Sequence, residues 1–347
     1  QLGLEPTLNA YLDKMLAVTA ELKRVLKPTG TMWLNHGDSY GTGSGAGIRS
    51  GKQATNRGTQ TNEDWQKEGK PKIIGYEKSL LLQAHRLAIR MVDEQQWILR
   101  NVIVWHKPNV MPSSVRDRFT VDYEPVFFFT KSKKYWFETQ YEKQSEEALE
   151  HYKHRKAPRN LSTPKSRPND GYSNSGSSTG QEWINPLGRN KRCVWKIATK
   201  PFSEAHFATF PPALIETPIK SGCPKFICKK CGKAREKQYD VWYEPQNGKG
   251  YRTQTPKVIG RKEGKDSGGV SPQEMKYGTA YKRQNFIGYT DCGCNAGWSS
   301  GIILDPFMGS GTVALVARQL GRQWVGIELN AEYIEMAERR LAQQVLF

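Results

Sequence analysis

The sequence predicts an α/β fold, and three observations carry that expectation. From Gly301 to Glu328 an apolar run, a glycine-rich loop, a helical stretch and a second apolar run ending in an acid follow one another. Residues 1–138 alternate helical and extended periodicities. Polar, basic stretches interrupt the pattern without repeating it, so they read as insertions. A chain of 347 residues can hold one large α/β domain with such insertions.

From Leu8 to Leu26 the residues Leu8, Leu12, Met15, Leu22, Val25 and Leu26 fall at helical spacing, and Pro28 with Gly30 ends the helix. Thr31 to Leu34 is a short apolar run that breaks into the polar loop Asn35 to Tyr40, where a parallel strand would end. That end of a strand is the functional edge of an open α/β sheet. Gly41 to Lys70 is rich in glycine, serine, threonine and charge and reads as a mobile loop. A second helix is expected over Ser79 to Glu94, with Leu80, Ala84, Leu87, Ala88 and Met91 on its buried side. Trp97 to Trp105 reads as a strand leading into His106-Lys107-Pro108-Asn109. Pro125–Thr130 and Tyr135–Phe137 flank Lys131-Ser132-Lys133-Lys134, which fits an antiparallel hairpin. Beyond Glu138 the chain turns polar and basic up to Arg192, as a disordered insert or as a segment that orders on a polyanion.

Lys and Arg number 52 against 34 Asp and Glu, a net charge of +18, so nucleic acid is the first partner to consider. No run reaches the ~18 apolar residues of a membrane span and no signal peptide opens the chain, so a soluble, cytoplasmic protein is expected. Six cysteines are too few for a disulfide scaffold of this size. Cys228-Lys229-Lys230-Cys231-Gly232 resembles a zinc-ribbon knuckle, and Cys292-Gly293-Cys294 supplies a partner pair, so four thiolates can close a structural zinc site. Cys223 is an alternative ligand, and Cys193 stands apart. Between the pairs, Lys257, Arg261, Lys262, Lys265, Lys282 and Arg283 make the segment basic enough to lie along DNA.

The stretch Gly301 to Thr312, the helical Val313 to Leu320 and Trp324 to Glu328 carry the most information. A glycine loop at a strand's carboxyl end lets the backbone approach a ligand, and Glu328, about 20 residues on, can accept hydrogen bonds from ribose hydroxyls. Asn330 can cap the next helix, with Ile334, Ala337 and Leu341 on its buried side. The spacing is not G-x-G-x-x-G, and Asp305 would repel a pyrophosphate. A nicotinamide-dependent oxidoreductase is therefore excluded. An ammonium group is the natural partner of that acid.

Asp305-Pro306-Phe307-Met308-Gly309-Ser310-Gly311-Thr312 resembles the D-P-F-x-G-S-G-T loop of the DNA amino-methyltransferases that form N6-methyladenine or N4-methylcytosine. The resemblance implies a Rossmann-like methyltransferase sheet in the permuted, beta-type order with an antiparallel edge hairpin, and S-adenosylmethionine as cofactor. It assigns cofactor contacts to Asp305, Pro306, Phe307, Gly309, Ser310, Gly311, Thr312 and Glu328, with Phe207 and Pro211 of the segment His206 to Leu214 closing the pocket. Val104 to Asn109 is similar to the strand and loop beside the target base, which places Lys107, Asn109, Arg116 and Arg118 at double-stranded DNA. His36, Asp38 and Tyr40 sit near the base pocket, for base or phosphate contact or for loop capping.

The resemblance further implies site-specific methylation, with a restriction endonuclease as a conceivable counterpart. The expected organisation is residues 1–138 as the target-base half, 139–192 as a basic insertion suited to DNA recognition, 193–222 as a cofactor-pocket segment, 223–297 as a zinc-ribbon-like insertion and 298–347 as the cofactor-binding βαβ unit and final helix. The family's D/N/S-P-P-Y/F tetrapeptide occurs nowhere in the chain; Phe210-Pro211-Pro212-Ala213 has only its prolines. With Gln as first residue, the expectation is a catalytic segment upstream of Gln1 and a truncated, inactive chain. The alternative is a non-catalytic DNA-binding protein on the same scaffold.

Overall fold

The structure is a computed structural model and describes residues 2–3, 5–41, 76–147, 185, 187–199, 210–245 and 280–343. In chain order the elements are helix α1 (Leu8–Val25), strand β1 (Thr31–Asn35), helix α2 (Gln83–Asp93), strands β2 (Ile98–His106), β3 (Tyr123–Thr130), β4 (Tyr141–Glu142), β5 (Arg189–Asn190) and β6 (Val194–Lys196), and helix α3 (Pro212–Gly222). There follow β7 (Ile227–Cys228), β8 (Lys237–Pro245), β9 (Ala280–Tyr289), β10 (Trp298–Ser299), β11 (Ile302–Asp305), helix α4 (Thr312–Gln319), β12 (Gln323–Gly326) and helix α5 (Ala331–Ala342). They fall into two compact units, one holding the five helices and most strands, the other the β4/β5 and β8/β9 pairs.

In the first unit a four-stranded sheet runs in the order β1-β3-β2-β6, with β3 antiparallel to β1 and β2, and β2 parallel to β6. The run Val126-Phe127-Phe128-Phe129 is wholly buried because both faces of β3 are covered, as a continuous apolar strand requires. Phe127 and Phe129 pack against Leu8, Leu12, Met15 and Leu16 of α1 and Ala84, Leu87, Ala88 and Met91 of α2. Val126 and Phe128 face Ile103, Trp105, Trp195 and Leu214 on the other side. Each such phenylalanine contributes roughly 1.5–3 kcal/mol through burial. Thr7 caps α1 by accepting from the Ala10 amide at 3.1 Å.

The expected hairpin around Lys131 does not form. Lys131 and Ser132 donate instead to the carbonyls of Leu26 and Pro28, ending α1, and Tyr135 and Phe137 lay their rings against Phe128 without joining the sheet. The antiparallel strand is therefore β3, inside the sheet and paired on both sides. Helix α2 begins at Gln83 and not at Ser79, because Glu77 and Leu80 are spent on bridges to Gly41 and Tyr40 and Leu82 takes a left-handed φ of 53°. On α1 the inner face turns through Leu16 and Thr19, leaving Val25 exposed, and on α5 it holds Met336 and Ala337 while Ile334 is exposed.

The C-terminal βαβ unit follows the sequence expectation. β11 and β12 pair in parallel from Ile302–Gln323 to Asp305–Gly326, with α4 between them in the chain. Among the described residues this pair is not hydrogen-bonded to the four-stranded sheet, so the sheet expected to be continuous is split between the two. Helix α3 links them. Ile219 packs on Val316 and Ala317 of α4, and the Gly222 carbonyl accepts from Thr31 Oγ1 of β1.

In the second unit, β4 and β5 pair at Tyr141–Asn190 and Glu142–Arg189, with an Arg189–Glu142 ion pair at 2.7 Å, so residues 139–192 leave and re-enter at one stem. β8 and β9 form an antiparallel ribbon from Lys237–Tyr289 to Pro245–Ala280. Among the described residues no helix is long and apolar enough to cross a membrane.

Candidate functional site

The glycine loop sits at the carboxyl end of β11 and turns into α4. Gly309 and Gly311 have φ of 49° and 76°, where a side chain is strained, and a Cβ on Gly311 would stand 3.0 Å from that of Ala337. A Cβ on Gly326 would meet the Met308 side chain, which would have to move to admit it. Ser310, Gly311 and Thr312 are buried, whereas Phe307 is exposed. Arg340 of α5 donates to the carbonyl and hydroxyl of Ser310, at 2.5 and 2.8 Å, and to the Thr312 hydroxyl at 3.3 Å.

Two acids frame the loop. Asp305 accepts from the Phe307 amide at 3.1 Å, and burial, reinforced by the nearby Glu328 charge, holds its carboxyl above the usual range. Glu328 accepts from the amides of Gly309 (2.8 Å), Leu329 (2.9 Å) and Asn330 (3.0 Å). A carboxylate offers about four acceptor positions, so three amides leave room for further bonding. Asn330 caps α5 as expected, accepting from the Glu332 amide at 2.9 Å. Pro211 is buried at the start of α3, and Phe207 lies outside the described residues.

At the end of β1 the three polar residues have structural partners. His36 Nε2 shares a 2.6 Å hydrogen bond with the Tyr11 hydroxyl. Burial raises that hydroxyl to about 12, helped by Glu5, so Tyr11 stays protonated. Asp38 accepts from the amides of Ser39 and Gln83 and so caps the approach to α2. Tyr40 lies under the Arg118 guanidinium, 3.4 Å from the ring centre.

The four residues expected at DNA divide into two pairs. Lys107 is spent on Glu124 and the face of Trp105, and Asn109 exchanges bonds with Thr199, donating to its carbonyl and accepting from its amide, both at 2.9 Å. Arg116 and Arg118 are exposed on the loop between β2 and β3.

The sulfurs of Cys228, Cys231, Cys292 and Cys294 all lie within 4.8 Å of one another. Gly232 and Gly293 take φ of 69° and 71°, letting the backbone curl beneath each pair, and β7 pairs with β10 beside them. Four thiols gathered this closely are the donor set of a tetrahedral structural zinc site. Cys223 is not part of this cluster. It is buried against Gly301, and burial pushes its thiol up to about 11, unlike a metal-ready thiolate.

Arg340, Tyr11 and Glu124 went unnoticed in the sequence. Arg340 had a faint signal, three residues after Ala337 and hence on the same helix face. Tyr11 and Glu124 had none, because their partners lie 25 and 17 residues away.

The site is a βαβ unit with an acid at the end of its first strand, a doubly left-handed glycine loop and a second acid two residues past the next strand. The chain belongs to the N6/N4 family described as DNA methylase, whose model matches residues 1–232 and 295–339. It is 31% identical to the type II methyltransferase M.XycI of Xanthomonas campestris pv. cyanopsidis, over 99% of this chain and 75% of that one. It is 29% identical to M.Cfr9I of Citrobacter freundii, over 98% and 74%. Among solved structures, the PvuII DNA methyltransferase (cytosine-N4-specific) aligns with a TM-score of 0.48 at 14% identity, covering 98% of this chain and 73% of that one. The chain is thus a DNA amino-methyltransferase by family, and nothing in this membership supports an inactive remnant.

Proposed function

We propose that this protein transfers the methyl group of S-adenosylmethionine to an exocyclic amine, N6 of adenine or N4 of cytosine, at a specific site in double-stranded DNA. The observation that carries the proposal is the loop Asp305–Thr312, which turns on two left-handed glycines beside the carboxylates of Asp305 and Glu328. When bound, the cofactor supplies a methyl already activated on a cationic sulfur, and the in-line transfer leaves binding and alignment to the chain. Asp305 suits the ammonium group of the cofactor, Glu328 its ribose hydroxyls and the exposed Phe307 its base. Arg340 ties the loop to α5 through Ser310 and Thr312. Arg116 and Arg118 suit DNA phosphates, while Lys107 and Asn109 set the shape of the loop that carries them.

The type II naming of the relatives supports a place in a restriction–modification system, with an endonuclease as counterpart. The four clustered cysteines suit a structural zinc ion, remote from the transfer chemistry in role.

The test is transfer of labelled methyl from S-adenosylmethionine to mixed-sequence duplex DNA, followed by digestion to nucleosides. Label in N6-methyladenine or N4-methylcytosine is expected and tells which amine is used. Label only in 5-methylcytosine, or none at all, would refute the proposal.

A further inference from the structure

Phe119 and Met111, on the loop between β2 and β3, are 95% and 85% exposed. A phenylalanine held in water forgoes the gain of burial, and Phe127, Phe128 and Phe129 nearby in sequence are all buried. Phe119 is also fixed from both sides. Before it, Asp117 pairs with Lys78 at 3.1 Å and Arg118 stacks on Tyr40, itself bridged to Leu80. After it, the Thr120 hydroxyl accepts from the Ser113 amide at 3.3 Å, and the loop is closed by the Lys107 amide donating to the Asp122 carbonyl at 2.7 Å. The loop is anchored while its aromatic side chain is presented to solvent. Arg116 and Arg118, both exposed, directly precede it in the chain and bring positive charge to the loop, and Arg116 pairs with no acid among the described residues.

An exposed aromatic ring next to exposed cations, one of them stacked on Tyr40, matches one partner, a stacked and phosphate-lined polymer. Chemistry on the amine of a base in a duplex requires that base to leave the stack, and an apolar side chain inserted at the step offsets the lost stacking. We propose that Phe119 is the wedge that enters the DNA stack beside the base to be methylated, with Met111 as a second apolar contact and Arg116 and Arg118 on the neighbouring phosphates. This rests on the reading of the protein as a methyltransferase of duplex DNA.

The recognition sequence is first located by sequencing methylated DNA from cells that make the protein. Two duplexes are then compared, one fully paired and one in which the target base faces an abasic position and has no pair to break. Phe119→Ala is expected to lower kcat/KM at least tenfold on the paired duplex and less than threefold on the abasic one. Phe119→Leu, which keeps an apolar plug, should recover most of the activity. Cofactor affinity and melting temperature should not move, since the ring makes no buried contact. Equal losses on both duplexes, or no loss on the paired one, would overturn the wedge while leaving the methyltransferase reading intact. A wild-type protein that methylates only unpaired strands also overturns it, and one that methylates no DNA sinks both readings.

Discussion

The loop after β11 and the loop after β2 both leave the carboxyl end of a strand, yet they are built in opposite senses. The first turns inward: Ser310, Gly311 and Thr312 are buried, and Arg340 and Glu328 hold its backbone. The second turns outward: it is anchored through Asp117, Arg118 and Thr120, and what it offers is side chains, Phe119, Met111 and Arg116. A small cofactor is gripped by backbone, which demands glycine and a closed frame. A polymer is met by side chains on a stiff rim. Perturbing one loop should therefore leave the ligand of the other nearly untouched.

The largest expected effect belongs to neither loop and serves as the control. Cys292→Ser should abolish binding of one zinc per chain, measured by metal analysis, and lower the melting temperature by roughly 5–10 °C. Next, Gly311→Val forces a branched side chain to φ 76° against Ala337, and should weaken S-adenosylmethionine binding by roughly 10–100-fold in calorimetry, with DNA affinity unchanged. Loss of DNA binding to the same extent would break the comparison. Conversely, Arg116→Ala with Arg118→Ala should weaken DNA binding about tenfold at low salt and reduce the salt-dependence slope by about 2, leaving cofactor affinity alone.

The smallest effect is a pH dependence. Burial raises the pKa of Asp305, so on acidification it takes up a proton earlier than an ordinary aspartate and loses its attraction for an ammonium group. Cofactor affinity should fall as pH drops through this raised value, at a pH above the ordinary aspartate range. Asp305→Asn should bind more weakly and show no such step, and a profile identical in both proteins would detach Asp305 from the cofactor.

Much of the inward loop was legible in the sequence, because backbone demands leave marks in residue type. Glycine at 309 and 311, an acid at each strand end and Asn330 as a cap all fell where the structure uses them. The paired knuckles were legible for the same reason, with Gly232 and Gly293 at positive φ. The outward loop was legible only as charge. Whether a lysine such as Lys107 is free or spent on Glu124, and whether Phe119 is core or rim, depends on contacts that local pattern does not encode. The expected hairpin failed likewise. Lys131 and Ser132 carry turn-like chemistry, but the carbonyls they satisfy belong to the end of α1, over a hundred residues earlier in the chain.

Hydrogen exchange, followed separately with S-adenosylmethionine alone and with DNA alone, tests the division most directly. Cofactor should slow exchange across residues 305–312 and 326–330 and leave 107–122 unchanged, while DNA should slow 107–122 and leave the glycine loop near its free rate. A cofactor that protects no amide in 305–312, or DNA that protects none in 107–122, would contradict the account.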